Sequence, residues 1–303
     1  MKLLVTGGSG FIGQQLIPVL IEAGHHIHCL TRNPDRTGHI PANARLTWAQ
    51  VDLKRQQSIQ DAFAAFRPEG LIHLAWDKIP DYSAKASLLN IEHGIRIFRS
   101  AAQSGCHTML STGSCWEYKE RLGSLRESDA LGTDNPFQAA KNALKIIGQG
   151  VASEYGVRFY WCPLFFVYGP GQRREALLPS VIRSALKGLP PSVRTPLNRH
   201  DFIYVDDVAR ALAALFEETP ESGIYNVGTG KSTAVGRIIE KVYRHQEIAL
   251  DRIPLEQQDD DIQDFRADIS KITAATTWHP QFDIDAGLRA TLAAFLPDQE
   301  GTI

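Results

Sequence analysis

The stretch that decides the fold is Leu3-Leu-Val-Thr-Gly7-Gly8-Ser9-Gly10-Phe11-Ile12-Gly13, or LLVTGGSGFIG. A short apolar run ends in closely spaced glycines. Gly8, Gly10 and Gly13 fit the spacing G-x-G-x-x-G, and Gly7, Gly10 and Gly13 fit G-x-x-G-x-x-G. Between a strand and a helix this pattern has a physical meaning. Small residues permit a tight turn, let backbone N–H groups approach a pyrophosphate, and let the helix pack closely on the strand. The pattern is weak alone and strong in this context near the start of the chain.

Outward from that point, short β-type runs alternate with amphipathic segments of helical length. The runs are Lys2–Thr6, His26–Leu30, Leu46–Gln50, Leu71–Ala75, Thr108–Ser111 and Val157–Cys162; Ile59, Phe63 and Phe66 show the helical spacing between two of them. Such alternation predicts an α/β fold with a Rossmann-type doubly wound parallel sheet. Pro18 lies inside the first helical segment, where it removes a hydrogen bond. After Pro163 the pattern loosens, with turn signals at Tyr168-Gly-Pro-Gly171 and Leu189-Pro-Pro191. Strand-like runs Phe202–Val205 and Ile224–Val227 flank a helical segment at Val208–Glu217. The expected organisation is a dinucleotide-binding domain over 1–164, to which the chain returns at 201–229. A smaller mixed α/β lobe takes 165–200 and 230–303.

The bulk composition narrows the function classes. The 303 residues carry 43% hydrophobic and 22% charged side chains with a net charge of −2. No basic stripe appears, so no nucleic acid partner is expected. Ten histidines show no ligand spacing, and Cys29, Cys106, Cys115 and Cys162 form no C-x-x-C pair, so no metal is expected. No apolar run approaches the ~20 residues that span a bilayer, and the N-terminal apolar run is too short for a signal peptide. The expectation is a cytoplasmic protein with reduced thiols.

The end of the second strand speaks to the cofactor. An acid there would bind the ribose 2′-hydroxyl of NAD, but the strand closes Cys29-Leu30-Thr31-Arg32-Asn33. A guanidinium suits a 2′-phosphate because it makes forked, charge-assisted hydrogen bonds. NADP is therefore expected in preference to NAD.

Taken together, the motifs resemble the extended short-chain dehydrogenase/reductases, the nucleotide-sugar epimerase, dehydratase and reductase group. The resemblance rests on Thr6–Gly13, Val51-Asp52-Leu53, Ile72-His73-Leu74-Ala75, Ser111-Thr-Gly-Ser114 and Tyr168-Gly-Pro170. It continues in Asp201-Phe-Ile-Tyr-Val-Asp-Asp207, Tyr225-Asn-Val-Gly228 and Trp278-His-Pro280. It implies a cofactor site of Gly7, Gly10, Phe11, Ile12, Gly13, Thr31, Arg32, Asp52, Leu53, Leu74, Ala75, Trp76, Lys141, Pro163 and Phe166. It places Ser114 on the substrate carbonyl, and Tyr82, Cys115, Leu178 and Arg199 on the substrate side, with Arg173 and Arg174 as further cations for a diphosphate. His200 stands where the family usually has an arginine. The helical segments Ser83–Gln103 and Phe137–Tyr155 are those through which such proteins pair as homodimers.

The family's catalytic tyrosine and lysine lie four residues apart on a helix; here those positions are Phe137 and Lys141. Reduction of a ketone by hydride needs a proton at oxygen, and phenylalanine has none to give. Losing one general acid costs about 10²–10⁴ in rate. Three readings stand open. The chain is a disabled tyrosine-to-phenylalanine form, which the otherwise catalytic motifs favour. Alternatively Tyr118, Tyr82 or Cys115 donates the proton, or the chain is a non-catalytic sensor that binds NADP. Cys115 and Trp116 occupy the places where dehydratases of this group carry an Asp-Glu pair, which argues against dehydration. The expected activity is NADPH-dependent reduction of a nucleotide-linked 4-keto-6-deoxyhexose in deoxysugar biosynthesis, impaired by Phe137, with a nucleotide-sugar epimerase as the alternative.

Overall fold

Along the first strand, Leu3 and Val5 enter one apolar core and Leu4 enters another. This two-sided burial is what a parallel sheet covered by helices on both faces requires. The computed structural model describes residues 1–37, 40–247 and 262–295; the remainder of the predicted lobe, 248–261 and 296–303, lies outside the described residues. In chain order the elements are β1 (Lys2–Thr6), α1 (Phe11–Glu22), β2 (His26–Thr31), β3 (Leu46–Gln50), α2 (Gln56–Phe66), β4 (Gly70–His73), α3 (Ala84–Gln103), β5 (Thr108–Ser114) and β6 (Leu122–Leu125). They continue with α4 (Pro136–Tyr155), β7 (Arg158–Leu164), β8 (Phe166–Tyr168), α5 (Leu177–Leu186), β9 (Arg199–His200), β10 (Phe202–Tyr204), α6 (Val205–Glu217) and β11 (Gly223–Ile224). The last are β12 (Thr233–Ala234), α7 (Val235–His245), β13 (Asp264–Ala267), α8 (Ser270–Ala275) and α9 (Ile284–Phe295).

The main sheet has seven parallel strands in the order β11-β7-β5-β4-β1-β2-β3. One face is closed by α1 and α6, through Leu16, Ile17, Leu20, Leu212 and Phe216. The other is closed by α2, α3 and α4, through Ile59, Phe63, Ile97, Phe98 and Leu144. Strand order reverses between β1 and β4, and a crevice opens at the carboxyl ends of strands at such a switch point. Helix α1 runs on through Pro18, so tertiary packing overrides the local loss of a hydrogen bond.

A third core joins α5, α7 and α9 around Leu178, Ile182, Ile238, Val242 and Leu288. Beside it lies a four-stranded sheet, β12-β9-β13-β6. Strand β6 comes from within the first 164 residues, yet pairs with β13. Strand β10 pairs with β8 outside the main sheet, whereas β11 adds to the main sheet's edge beside β7. No described helix is long and apolar enough to cross a membrane.

Candidate active site

The glycine-rich turn is built by close contact. Gly7 has φ +76°, and a Cβ there would lie 2.8 Å from the Ala75 amide nitrogen. A Cβ on Gly13 would lie 2.4 Å from the Gly7 oxygen and 2.6 Å from the Gly8 Cα, so no side chain fits without moving backbone. The first turn of α1 follows directly and carries no acid. Its leading N–H groups have no intrahelical acceptor, which suits an anion.

A cleft of about 570 Å³ opens above this turn. It is lined by Thr6, Gly7, Ser9 and Gly10 after β1, Leu30–Asn33 at the end of β2, Val51–Leu53 after β3, and Leu74–Asp77 after β4. Of the residues expected at the cofactor, Gly7, Gly10, Thr31, Arg32, Asp52, Leu53, Leu74, Ala75 and Trp76 thus line the same cleft. Six expected residues are not among its lining: Phe11, Ile12 and Gly13 at the turn, and Lys141, Pro163 and Phe166. Phe11 and Ile12 are half-buried and pack against the cores. Pro163 is buried in β7 opposite Gly113, and Phe166 is held face to face with His200 at 4.0 Å.

Beneath the cleft floor, Thr6 Oγ1 pairs with His73 Nδ1 at 2.6 Å, and Ser111 Oγ donates to the His73 carbonyl. Burial pushes the His73 imidazole down to about 3, with Lys141 and His93 adding to the effect, so it is neutral at physiological pH.

Against Trp76, which lines the cleft, three elements meet. Asn135 caps α4 by accepting from the Gln138 amide, with Pro136 in the first turn. One turn separates Phe137 from Lys141, so both face the same way. Lys141 is buried; its Nζ donates to the Thr112 carbonyl at 2.8 Å and sits 3.9 Å above the Trp76 ring. Burial lowers its ammonium to about 8, against an opposing pull from Glu117. The Phe137 ring lies edge-on to Trp76 at 5.4 Å and to Tyr82 at 4.9 Å. Ser114 ends β5 two residues beyond Thr112, on the same strand face. Its Oγ accepts from the Trp116 amide at 3.3 Å, which leaves the hydroxyl proton free to donate.

The three candidate proton donors separate sharply. The Tyr118 hydroxyl is buried and donates to Asn226 Oδ1 at 2.6 Å, and burial raises its pKa further. Cys115 is buried against Tyr118, Phe165 and Phe265, and burial pushes its thiol up. Tyr82 alone of the three is open, 46% exposed and packed on Phe137.

The substrate-side candidates are placed as follows. Cys115 points into a core. Leu178 is buried inside the α5–α7–α9 core with Val181, so it offers no surface to a nucleotide base. Arg199 is exposed but engaged, its Nε 3.2 Å from Asp264 and its Nη2 donating to the Ser232 carbonyl. Glu117 is fully enclosed: it accepts from the Ser114 amide at 2.7 Å and Trp161 Nε1 at 2.8 Å, and it pairs with Lys145 at 3.3 Å. Burial raises its carboxyl, opposed by Lys145 and Lys141.

Three lining residues escaped sequence reasoning: Asp77, Asn90 and His93. Asn90 is buried; its Oδ1 accepts from the Asp77 amide at 2.6 Å, and its Nδ2 donates to the Asp77 and Ala86 carbonyls. His93 Nε2 is buried without a hydrogen-bond partner. A signal existed, because Ala86, Asn90, His93 and Ile97 recur at helical spacing along the buried face of α3. Polar residues on such a stripe mark a place where a helix meets something other than core.

A glycine cradle that any Cβ would obstruct, an acid-free helix start, a guanidinium and a buried unpartnered imidazole fit a dinucleotide. The comparisons agree. The model of the NAD dependent epimerase/dehydratase family matches residues 3–228. The chain is 25% identical to a dTDP-glucose 4,6-dehydratase of Neisseria meningitidis serogroup B, over 98% of this chain and 94% of that one. It is 22% identical to a dTDP-4-dehydro-6-deoxyglucose reductase of Escherichia coli, over 94% of each. The structure of a Thermus thermophilus UDP-glucose 4-epimerase in complex with NAD superimposes with a TM-score of 0.84 at 25% identity, covering 100% of both chains. On sequence and architecture alike, this chain belongs to the NAD dependent epimerase/dehydratase family, among the extended short-chain dehydrogenase/reductases.

Proposed function

We propose that the chain reduces a nucleotide-linked 4-keto-6-deoxyhexose, at a rate limited by Phe137. The observation that carries this reading is the state of Glu117. It is the only acid in the stretch following Ser114 up to Tyr118, and it is enclosed and bound to Ser114, Trp161 and Lys145. No carboxylate of that stretch is free to remove a proton from a sugar carbon, as elimination of water would demand. The retained groups suit carbonyl reduction instead. The glycine turn and the start of α1 hold the pyrophosphate, and Asp52 and Leu53 border the adenine. Lys141 orients the nicotinamide ribose. When bound, the dinucleotide supplies the hydride. Ser114 donates its free hydroxyl proton as a hydrogen bond to the carbonyl oxygen, polarising it. Arg32 favours NADPH as the donor.

The proton is the weak point. Phe137 fills the tyrosine position without a hydroxyl, and Tyr82, edge-on to Phe137 and open to solvent, is the available substitute. The reductase from Escherichia coli supports this chemistry by resemblance. The epimerase reading is favoured by the likeness to the NAD-bound Thermus structure, and would keep the cofactor bound through the cycle. Leu88 and Ile146 stand 61% and 59% exposed on α3 and α4; we assign this face to a homodimer, which sedimentation at several concentrations tests.

The test of function is oxidation of NADPH by the chain and by Phe137→Tyr, against a panel of nucleotide 4-keto-6-deoxyhexoses. A gain of about 10²-fold or more in Phe137→Tyr supports the reading, and Tyr82→Phe in the unaltered chain should remove the residual turnover. No turnover in either form, with dinucleotide binding intact, would favour the non-catalytic NADP sensor.

A further inference from the structure

Arg32 is not free in this structure. Its Nη1 lies 2.8 Å from Asp77 Oδ2, and both residues line the cleft. The two partners differ in how they are held. The Arg32 side chain is 66% exposed, whereas that of Asp77 is 16% exposed. Asp77 is fixed by its neighbours: its backbone N–H and carbonyl both bond the buried Asn90 side chain, and its Oδ1 accepts from the Lys78 amide at 3.0 Å. The carboxylate is therefore an anchored charge on the α3 side of the cleft, and the guanidinium is the mobile partner.

We propose that Asp77 sets the choice between NADPH and NADH by competing with the cofactor for Arg32. The inference rests on the reading that this cleft holds a nicotinamide dinucleotide. A 2′-phosphate gathered by Arg32 must draw the guanidinium from Asp77 or share it with a fixed negative charge. The 2′-hydroxyl of NADH meets neither demand. An exposed ion pair is weak enough to open, so NADPH still binds, but with less advantage than a free arginine would give. The second strand lacks the acid that usually discourages a 2′-phosphate, and the loop after β4 supplies one from a different direction.

Binding titrations of the full chain with NADPH and with NADH separate the possibilities. The unaltered chain should bind the two within about tenfold of each other, and Asp77→Asn should raise the NADPH/NADH affinity ratio by about three- to tenfold. Arg32→Gln should lower the ratio, and adding Asp77→Asn to Arg32→Gln should then change it little, because the two residues act as a pair. Asp81→Asn removes a charge from the same loop after β4, at an exposed residue that neither lines the cleft nor pairs with Arg32; it should leave the ratio within about twofold. Melting curves and the NADH affinity of each variant distinguish loop damage, which lowers binding of both cofactors together. The proposal is overturned if Asp77→Asn leaves the ratio unchanged, or if its gain persists undiminished without Arg32. Binding of neither dinucleotide by any form would overturn the cofactor reading itself, and the proposal with it.

Discussion

On the dinucleotide side of the cleft the chain presents backbone and small residues: Gly7, Gly10, Gly13, Ala75 and the first turn of α1. In the C-terminal lobe the residues expected at a substrate are large side chains, and they are already engaged. Leu178 is core, Arg199 is paired with Asp264, and His200 is stacked on Phe166. A site made of backbone is specified by short local spacing, because glycine is demanded wherever a Cβ would collide. A site made of side chains depends on which distant residue each one meets. The first kind can be read from a motif and the second cannot.

That contrast can be broken by substitution. The largest effect should come from Glu117→Ala, which strands the buried Lys145 ammonium; removing one partner of a buried pair costs about 3–5 kcal/mol. Chemical denaturation measures it. If Glu117 were a catalytic base instead, the variant would keep its stability and lose turnover. Next is Leu178→Ala, expected to destabilise by about 2–5 kcal/mol through an unfilled cavity, with no change in preference among nucleotide bases. A changed base preference at unchanged stability would return Leu178 to the substrate surface. Gly13→Ala should cost about 1–3 kcal/mol from overpacking and also lift α1 from the turn. Its distinguishing mark is dinucleotide affinity, which should fall by more than stability alone explains.

The smallest effect concerns pH. Burial holds the His200 imidazole at about 4, below its ordinary 6.5. The unfolded chain therefore binds more protons than the fold between those values, and stability falls as pH drops from 6.5 to 4. His200→Phe keeps an aromatic surface on Phe166 and removes both ring nitrogens, of which Nδ1 has no partner. It should be near neutral at pH 7 and recover about 1 kcal/mol per pH unit of the acid loss across that window. Melting temperatures from pH 7 to 4 for the two forms provide the check.

These differences explain what the sequence made legible. The alternation of β-type runs and helical segments predicted the doubly wound sheet, and the central strands β1, β4 and β5 are buried on both faces as such a sheet requires. Strand ends were less secure: β5 runs on to Ser114, and β4 stops at His73, where the Leu74 N–H still donates to the Thr6 carbonyl but the Ala75 N–H turns to the Thr6 hydroxyl. Strand β6 joining β13 was not readable, since the two are far apart in sequence. In the site, Phe137 and Lys141 were placed by the family resemblance, with helical spacing putting them on one face, and the ring contacts of Phe137 with Trp76 and Tyr82 required the fold. Asp77 and Asn90 were missed for the same reason. Their role is a link between a loop and a helix, and neither half alone carries a motif.

The central claim is that the site keeps the parts for ketone reduction and lacks only an acid at residue 137. The most direct measurement is the ratio of reduced dinucleotide oxidised to sugar product formed by Phe137→Tyr, with the product separated and counted. The account predicts one molecule of NADPH consumed for each molecule of reduced sugar. Sugar product formed with no net oxidation would contradict it and make the chain an epimerase.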